Sequence, residues 1–139
     1  MSNVAQSGYG GPTETLDRWA ARLGPLLTRS EAIDRLAGSA TAVDGLDESD
    51  RFVVLASRAG TVYYPAWQFD LPAQHRAILA EAHVGMVRLG HISPWTAASW
   101  LATPHPSLEA RTPIAYLTEG GDPSRIMEAA RRDAVRATE

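Results

Sequence analysis

The sequence predicts a mainly α-helical protein with one β-hairpin, and three observations support this fold class. Apolar residues recur three or four positions apart through most of the chain, a spacing that places them on one face of a helix. Residues 51–64 are instead rich in β-branched and aromatic residues, which favour strands. In the last third of the chain, three predicted helices each begin with proline after a residue that can cap a helix.

Composition restricts the class of protein. The chain has 139 residues, 45% of them hydrophobic, which suits one domain or two small helical lobes sharing a core. It has no cysteine, so disulfides and thiolate metal sites are excluded. No apolar run could span a membrane and no secretory signal is recognisable, so we expect a cytoplasmic protein without a membrane partner. The net charge of -3 does not favour non-specific binding to nucleic acids.

The N-terminal region predicts a flexible tail followed by an amphipathic helix. Residues 1–12 are rich in Gly, Ser and other small residues, which do not favour a packed core. From Thr13 to Leu23 apolar residues recur at helical spacing, and Gly24-Pro25 ends the pattern. The apolar face of this helix comprises Leu16, Trp19, Ala20 and Leu23.

A helix-turn-helix is predicted next. Thr28 stands three residues before Glu31, the spacing of a capping box, which predicts a helix from Ser30 to Leu36. Its buried residues would be Ala32, Ile33 and Leu36. A break near Gly38 and a further segment from Thr41 to Leu46 complete the spacing of the motif.

The predicted β-hairpin comprises residues 51–55 and 61–64, joined by Arg58-Ala59-Gly60. A helix-turn-helix followed by a hairpin is the outline of a winged helix, which we assign to residues 13–70. This lobe would either recognise DNA, with Arg51 and Arg58 near phosphates, or keep the fold without the function.

The charges of the expected recognition segment count against DNA binding. Such a helix normally presents basic or amide side chains to the bases. Here the segment carries Asp44, Asp47, Glu48 and Asp50. Gly45 also lowers its helix propensity, by about 1 kcal/mol relative to Ala. Operator DNA is therefore expected to be a secondary partner at most.

The segment Pro65-Ala66-Trp67-Gln68-Phe69 marks the junction with the second lobe, residues 71–139. If it is extended, Trp67 and Phe69 point the same way and join the two lobes. Gln68 would satisfy backbone groups at the junction, with ligand binding as the alternative use of its amide.

A long helix from Leu71 to Leu89 follows, with Asp70 as its cap. Its apolar face would comprise Ile78, Ala82, Met86 and Leu89. The helix and its exit carry His75, His83 and His91. Spacings of eight turn successive side chains by about 80°, whereas helical two-histidine metal sites use spacings of three or four. We therefore expect no metal site and histidines that lie at the surface or pair with helix ends.

The last lobe is predicted to contain three compact helices, spanning Pro94 to Ala102, Pro113 to Thr118, and Pro123 to about Arg136. The core residues would be Trp100, Leu101, Leu108, Ile114, Leu117, Ile126 and Met127. Trp95 and Tyr116 suit either the core or an interface. The final helix is rich in arginine, which is either solvated near the negative helix end or used to bind a partner.

Catalytic signatures are missing. The chain contains no GxSxG, Walker or strand-linked GxGxxG motif, and no HExxH or CxxC pair. We therefore expect neither enzymatic activity nor a cofactor.

The stretch from Trp95 to Ala130 resembles the toxin-binding domain shared by Xre/MbcA/ParS-type antitoxins. The residues that carry this resemblance are Trp100, Leu101, Pro104, Pro106, Leu108, Thr112, Pro113, Leu117, Gly120 and Gly121. Upstream, the segment from Tyr64 to Asp70 resembles the Pro-aromatic-Gln-Phe segment that precedes this domain in many actinobacterial members. Together the two matches span roughly residues 28–132.

The resemblance implies an antitoxin of a toxin-antitoxin system that neutralises a cognate toxin by occluding its active site. The toxin is typically of the RES type, which consumes NAD, and autoregulatory DNA binding is a frequent second role. Exposed candidates for toxin binding are Trp95, Tyr116, Arg125, Arg131 and Arg132. The protein would form a homodimer or a hetero-oligomer with the toxin. The alternative is a winged-helix transcriptional regulator that binds DNA as a dimer.

Overall fold

A computed structural model describes residues 12–36, 44–47 and 51–138. In this part of the chain the α-helices are α1 (Pro12–Leu23), α2 (Arg29–Arg35), α3 (Ala73–Gly90), α4 (Pro94–Leu101), α5 (Pro113–Thr118) and α6 (Pro123–Ala137). Three short strands, β1 (Leu26–Thr28), β2 (Leu55–Ala56) and β3 (Val62–Pro65), form an antiparallel sheet in the order β1-β3-β2. The mainly helical class with a small β-element is confirmed.

The sheet contains a hairpin with the predicted turn, but its first strand is β2 rather than residues 51–55, because the backbone of Val53 pairs with the Gln68 side chain. The sheet also contains β1, which was not predicted. In the turn, Gly60 has a φ of +89°, and the Ser57 N–H donates to the Thr61 carbonyl at 2.8 Å. β1 pairs with β3, placing Leu27 opposite Tyr64. Three residues are too few to show an alternating pattern, so this strand depends on pairing with a distant segment.

The capping box of α2 is confirmed. The Glu31 N–H donates to Thr28 Oγ1 at 3.3 Å, and the Thr28 N–H donates to Glu31 Oε1 at 2.9 Å. Ala32 and Leu36 are buried as expected, but Ile33 is 36% exposed because it lies off the face that packs inward. Residues 37–43 and 48–50, which include the first half of the segment expected to be the second helix of the helix-turn-helix, lie outside the described residues.

The last three helices, α4, α5 and α6, begin at the predicted caps. Ser93 Oγ accepts from the Thr96 N–H at 3.1 Å, and Thr112 Oγ1 accepts from the Ala115 N–H at 3.0 Å. Asp122 Oδ1 accepts from the Ser124 N–H at 3.0 Å. Each bond satisfies a backbone donor that a helix start leaves unpaired. The bounds of α4, α5 and α6 therefore match the prediction to within about one residue.

The start of α3 differs from the prediction. The helix begins at Ala73 after Pro72, whose side chain makes no capping hydrogen bond. Asp70 does not cap it, and its carboxylate instead lies 3.6 Å from Arg35 Nη1. Because Ala66–Asp70 forms a 3₁₀ turn, Asp70 is held away from the helix start.

Two hydrophobic clusters hold the fold together. The larger one combines residues of α3, α4, α5 and α6 with Leu23, Val53 and Leu55 from the N-terminal half. The smaller one comprises Ala32, Leu36, Leu46, Phe52 and Tyr64. Full burial of an aliphatic side chain contributes about 1.5–3 kcal/mol. The N-terminal half therefore shares the larger core with the helical half.

Candidate partner-binding surface

Gln68 is the central residue of the junction. Its side chain is 0% exposed, its Oε1 accepts from the Val53 N–H at 2.9 Å, and its Nε2 donates to the Val53 carbonyl at 3.0 Å. The amide thus pairs with Val53 as a neighbouring strand would. The prediction that Gln68 satisfies backbone groups is confirmed, and the buried amide is not available to a ligand.

The two aromatics beside Gln68 pack into different clusters. Trp67 lies against the larger core, whereas Phe69 packs on Phe52 and Tyr64 with ring centroids 5.8 and 6.4 Å apart. The expectation that they point the same way was wrong because Pro65 is followed by a 3₁₀ turn, in which each residue rotates by about 120°. They therefore brace both clusters.

Trp95 connects α4 to the sheet. Its indole N–H donates to the Ala56 carbonyl at 3.0 Å, and its ring lies 5.5 Å from Trp19 and 6.3 Å from Tyr63 between centroids. The ring is half-buried. Because its indole N–H is already bonded to Ala56, we interpret Trp95 as a residue that holds α4 against the sheet.

Tyr116 is buried, with 4% of its surface exposed. The expectation that Tyr116 is exposed is therefore wrong, and the alternative position in the core is confirmed. The cause is the Gly120-Gly121 turn: Gly120 has a φ of +92°, and the Gly121 N–H donates to the Tyr116 carbonyl at 2.8 Å. A Cβ at Gly121 would overlap the Tyr116 ring, so glycine is required where the chain folds over this side chain.

Unlike Tyr116, the candidate arginines of α6 lie at the surface. Arg125, Arg131 and Arg132 are exposed, and none forms an ion pair with another residue of the described ranges. Arg125 and Arg132 are seven residues apart, so they lie within about 20° of each other around the helix. Arg131 points elsewhere and lines a groove between α6 and α3.

The helix that carries these arginines is held firmly against the rest of the molecule. The Trp100 indole N–H donates to Asp133 Oδ2 at 2.8 Å and joins α4 to α6. At the end of α3, a Cβ on Gly90 would lie 3.1 Å from the Ala134 carbonyl oxygen, so the helices approach closely there. The arginines therefore project from a helix that is packed against α3 and bonded to α4.

The groove has a volume of about 520 Å³. Its lining residues are Ala82, Gly85, Met86 and Leu89 of α3, and Ser124, Met127, Glu128, Ala130 and Arg131 of α6. On α3 they follow the i, i+3, i+4, i+7 spacing of one helix face. The expectation that Leu89 is buried was wrong, because it is 44% exposed at the edge of this groove.

Gly85 is the feature of the groove that sequence reasoning missed. It lies in the interior of α3, where glycine costs about 1 kcal/mol relative to Ala. A Cβ at this position would meet nothing within 4 Å, so no internal contact requires glycine. An unexplained glycine in an amphipathic helix was the available signal.

His83 is the buried histidine of α3, with 3% exposure. Its Nε2 lies 2.8 Å from the Pro94 carbonyl, so this nitrogen carries the proton, while Nδ1 is buried without a partner among the described residues. Burial lowers the pKa of His83, and the bond to Pro94 opposes this in part. The expectation of a surface position was wrong for His83, but its pairing with the start of α4 agrees with the alternative.

The remaining candidate residues lie elsewhere. Arg58 is exposed in the turn between β2 and β3, and Arg51 lies against Gly45, where a Cβ would be 3.2 Å from Arg51 Cδ. Pro104 and Pro106 are exposed near the short 3₁₀ turn Pro106–Leu108, whereas Pro65 and Pro113 are buried. Within the described ranges, no three His, Asp or Glu side chains are grouped to hold a metal ion.

Comparison with known proteins identifies no relative. No protein-family model matches the chain, and no curated protein or solved structure is significantly similar to it. No helix in residues 12–36, 44–47 and 51–138 combines the length and apolar character needed to cross a membrane. Functional inference therefore depends on the residues and their geometry.

Proposed function

We propose that this chain is an antitoxin-like protein that binds a cognate toxin, of the NAD-consuming RES type, and neutralises it by occluding its active site. The observation that carries the proposal is the set of three exposed α6 arginines without ion-pair partners among the described residues. The toxin as partner comes from the sequence resemblance.

The charge distribution supports a protein partner with an acidic or phosphate-binding cleft. The chain has a net charge of -3, yet α6 carries four arginines against two acidic residues. Arginine pairs with carboxylates and phosphates through two parallel hydrogen bonds, and binding energy often concentrates in such residues. A well-packed helix with several exposed guanidinium groups that form no ion pair among the described residues suits insertion into such a cleft.

Surface substitutions test this proposal better than truncation. Deletion of everything after Gly121 would remove Ile126, Ala129, Ala130 and Ala134, which belong to the larger core. Such a chain would lose its fold together with its binding surface. Substitution of exposed arginines removes the contacts and leaves the core intact.

The experiment is growth rescue. Products of genes that neighbour the coding sequence are expressed singly, and one that arrests growth is then co-expressed with this chain. The wild type should restore growth and co-purify with that product. The Arg125→Ala, Arg131→Ala, Arg132→Ala triple variant should lose most of this rescue. Its affinity for the neighbouring product should fall by about tenfold or more.

A control removes three exposed arginines outside α6, with the same change in net charge: Arg18, Arg22 and Arg35. Because these arginines have contacts of their own, such as the ion pair of Arg35 with Asp70, urea denaturation first checks that both triple variants are folded. The control variant should rescue growth as the wild type does. The proposal is wrong if no neighbouring product is neutralised, or if the two triple variants behave alike.

DNA binding remains a separate prediction, with weak affinity that depends on Arg51 and Arg58.

A further inference from the structure

The groove between α3 and α6 has features that the arginines alone do not explain. Its floor is apolar, formed by Ala82, Gly85, Met86 and Met127, and Leu89 stands exposed at its edge. Val135, four residues after Arg131 and therefore on the same side of α6, is also exposed. Apolar residues that follow one face of each helix form a surface that another helix can cover.

We propose that this groove binds an acidic amphipathic helix of the partner toxin. The inference rests on the proposed function for the identity of the partner, while the chemistry of the bound segment follows from the groove itself. Its apolar face would lie on Gly85, Leu89 and Met127, and its acidic flank would face α6.

Gly85 explains why a helix fits. It is exposed at the groove floor, and the space in front of it is empty, since an added Cβ would meet nothing within 4 Å. At Gly90, five residues later on the same helix, the space that a Cβ would need is occupied by Ala134 of α6. Glycine lets a second backbone approach closely, and at Gly85 no element of the described chain makes that approach.

The charge of α3 and α6 indicates the charge of the helix that binds between them. α3 and α6 together carry six arginines against three acidic residues, although the whole chain has 13 basic and 16 acidic residues. One acid, Glu128, lines the groove beside Arg131, but Arg125, Arg131 and Arg132 all lie three or four positions from it on α6, so arginine predominates on this side of the helix. A basic helix would be repelled by this pair of helices, whereas glutamates flanking an apolar ridge would be attracted.

Because the chain has no cysteine, a single introduced cysteine can be labelled specifically. An environment-sensitive dye is attached at Ser124→Cys on the groove rim and, as a control, at Ala21→Cys on α1. The probe is a synthetic helical peptide with leucines at helical spacing and glutamates on its flanks. Its counterpart keeps the leucines and replaces the glutamates with lysines.

The acidic peptide should change the dye signal at Ser124→Cys but not at Ala21→Cys, and it should bind about tenfold or more tightly than the basic one at low salt. Gly85→Leu, which fills the groove with a side chain whose Cβ meets no neighbour, should weaken binding by about tenfold or more. Ala21→Leu adds the same side chain at an exposed position of α1 and should have no effect. Arg131→Glu should reverse the preference between the peptides.

Two results would overturn the inference: equal binding of the two peptides, or unchanged binding by both Gly85→Leu and Arg131→Glu.

Failure of the groove proposal can be distinguished from failure of the proposed function. If growth rescue is lost in the arginine triple variant but unchanged in Gly85→Leu, the toxin assignment stands and the groove proposal is wrong. If the acidic peptide binds the groove as expected but no neighbouring product is neutralised, only the toxin assignment is wrong.

Discussion

The junction around Gln68 and the outer face of α6 use polar side chains in opposite ways. At the junction, the side chains of Gln68 and Trp95 form hydrogen bonds with the backbone of Val53 and Ala56, respectively. On α6, Arg125 and Arg132 extend from a well-held helix without an ion pair among the described residues. Internal bonding stabilises the fold, whereas an unengaged charged group contributes little to stability and remains available to a partner.

This contrast predicts that substitutions at the two surfaces have opposite consequences. Junction substitutions should lower stability, and their effect on partner binding should follow from unfolding. Substitutions on α6 and in the groove should leave stability unchanged or raised while binding is lost.

Gln68→Ala should have the largest effect. It leaves the buried N–H and carbonyl of Val53 without partners and creates a cavity, and each unsatisfied group costs about 1–3 kcal/mol. We expect a loss of about 2–5 kcal/mol in the free energy of unfolding, measured by urea denaturation. Gln74→Ala removes an exposed amide from α3 and should change stability by less than about 0.5 kcal/mol. Equal stability of the two variants would show that the junction does not depend on this amide.

Acidification should destabilise the protein through His83. Burial lowers the pKa of this side chain in the folded state, so the unfolded chain binds a proton first as the pH falls. The contribution to stability is therefore complete above the ordinary histidine pKa of about 6.5 and decreases as the pH falls from there towards the lowered folded-state pKa. Urea denaturation at a series of pH values measures this slope.

His83→Gln is the matched variant for this measurement. Glutamine can still donate to the Pro94 carbonyl but does not titrate. Its stability should therefore vary less with pH than that of the wild type between about pH 5 and 7. A slope identical to that of the wild type would assign the acid sensitivity to other groups.

Local signals were sufficient to predict α4, α5 and α6. Ser93, Thr112 and Asp122 each cap a helix through a bond to a residue two or three positions away, and such bonds are encoded within a few residues. β1 could not be predicted in this way, because its partner β3 lies more than thirty residues further along the chain.

Which face of a helix is covered was also beyond local signals. Leu89 fits the apolar face of α3 by spacing but is exposed, because α6 leaves that side of the helix open. Tyr116 is buried because the Gly120-Gly121 turn closes over it. Both outcomes depend on how the helices pack together. For the same reason, the arginines could be named from the sequence but the groove beside Arg131 could not.

Gly85→Ala should have the smallest effect and the opposite sign from the junction variant. Alanine is favoured over glycine in a helix interior by up to about 1 kcal/mol, and the added methyl group meets nothing within 4 Å. The variant should therefore unfold at a slightly higher urea concentration than the wild type. Gly90→Ala is its control on the same helix: its Cβ would lie 3.1–3.3 Å from atoms of Ala134, so the two helices would have to separate. We expect Gly90→Ala to gain less stability than Gly85→Ala or to lose some. Equal gains at both positions would mean that α6 yields easily at Gly90, and would remove the contrast between a packed and an open glycine that identifies the groove.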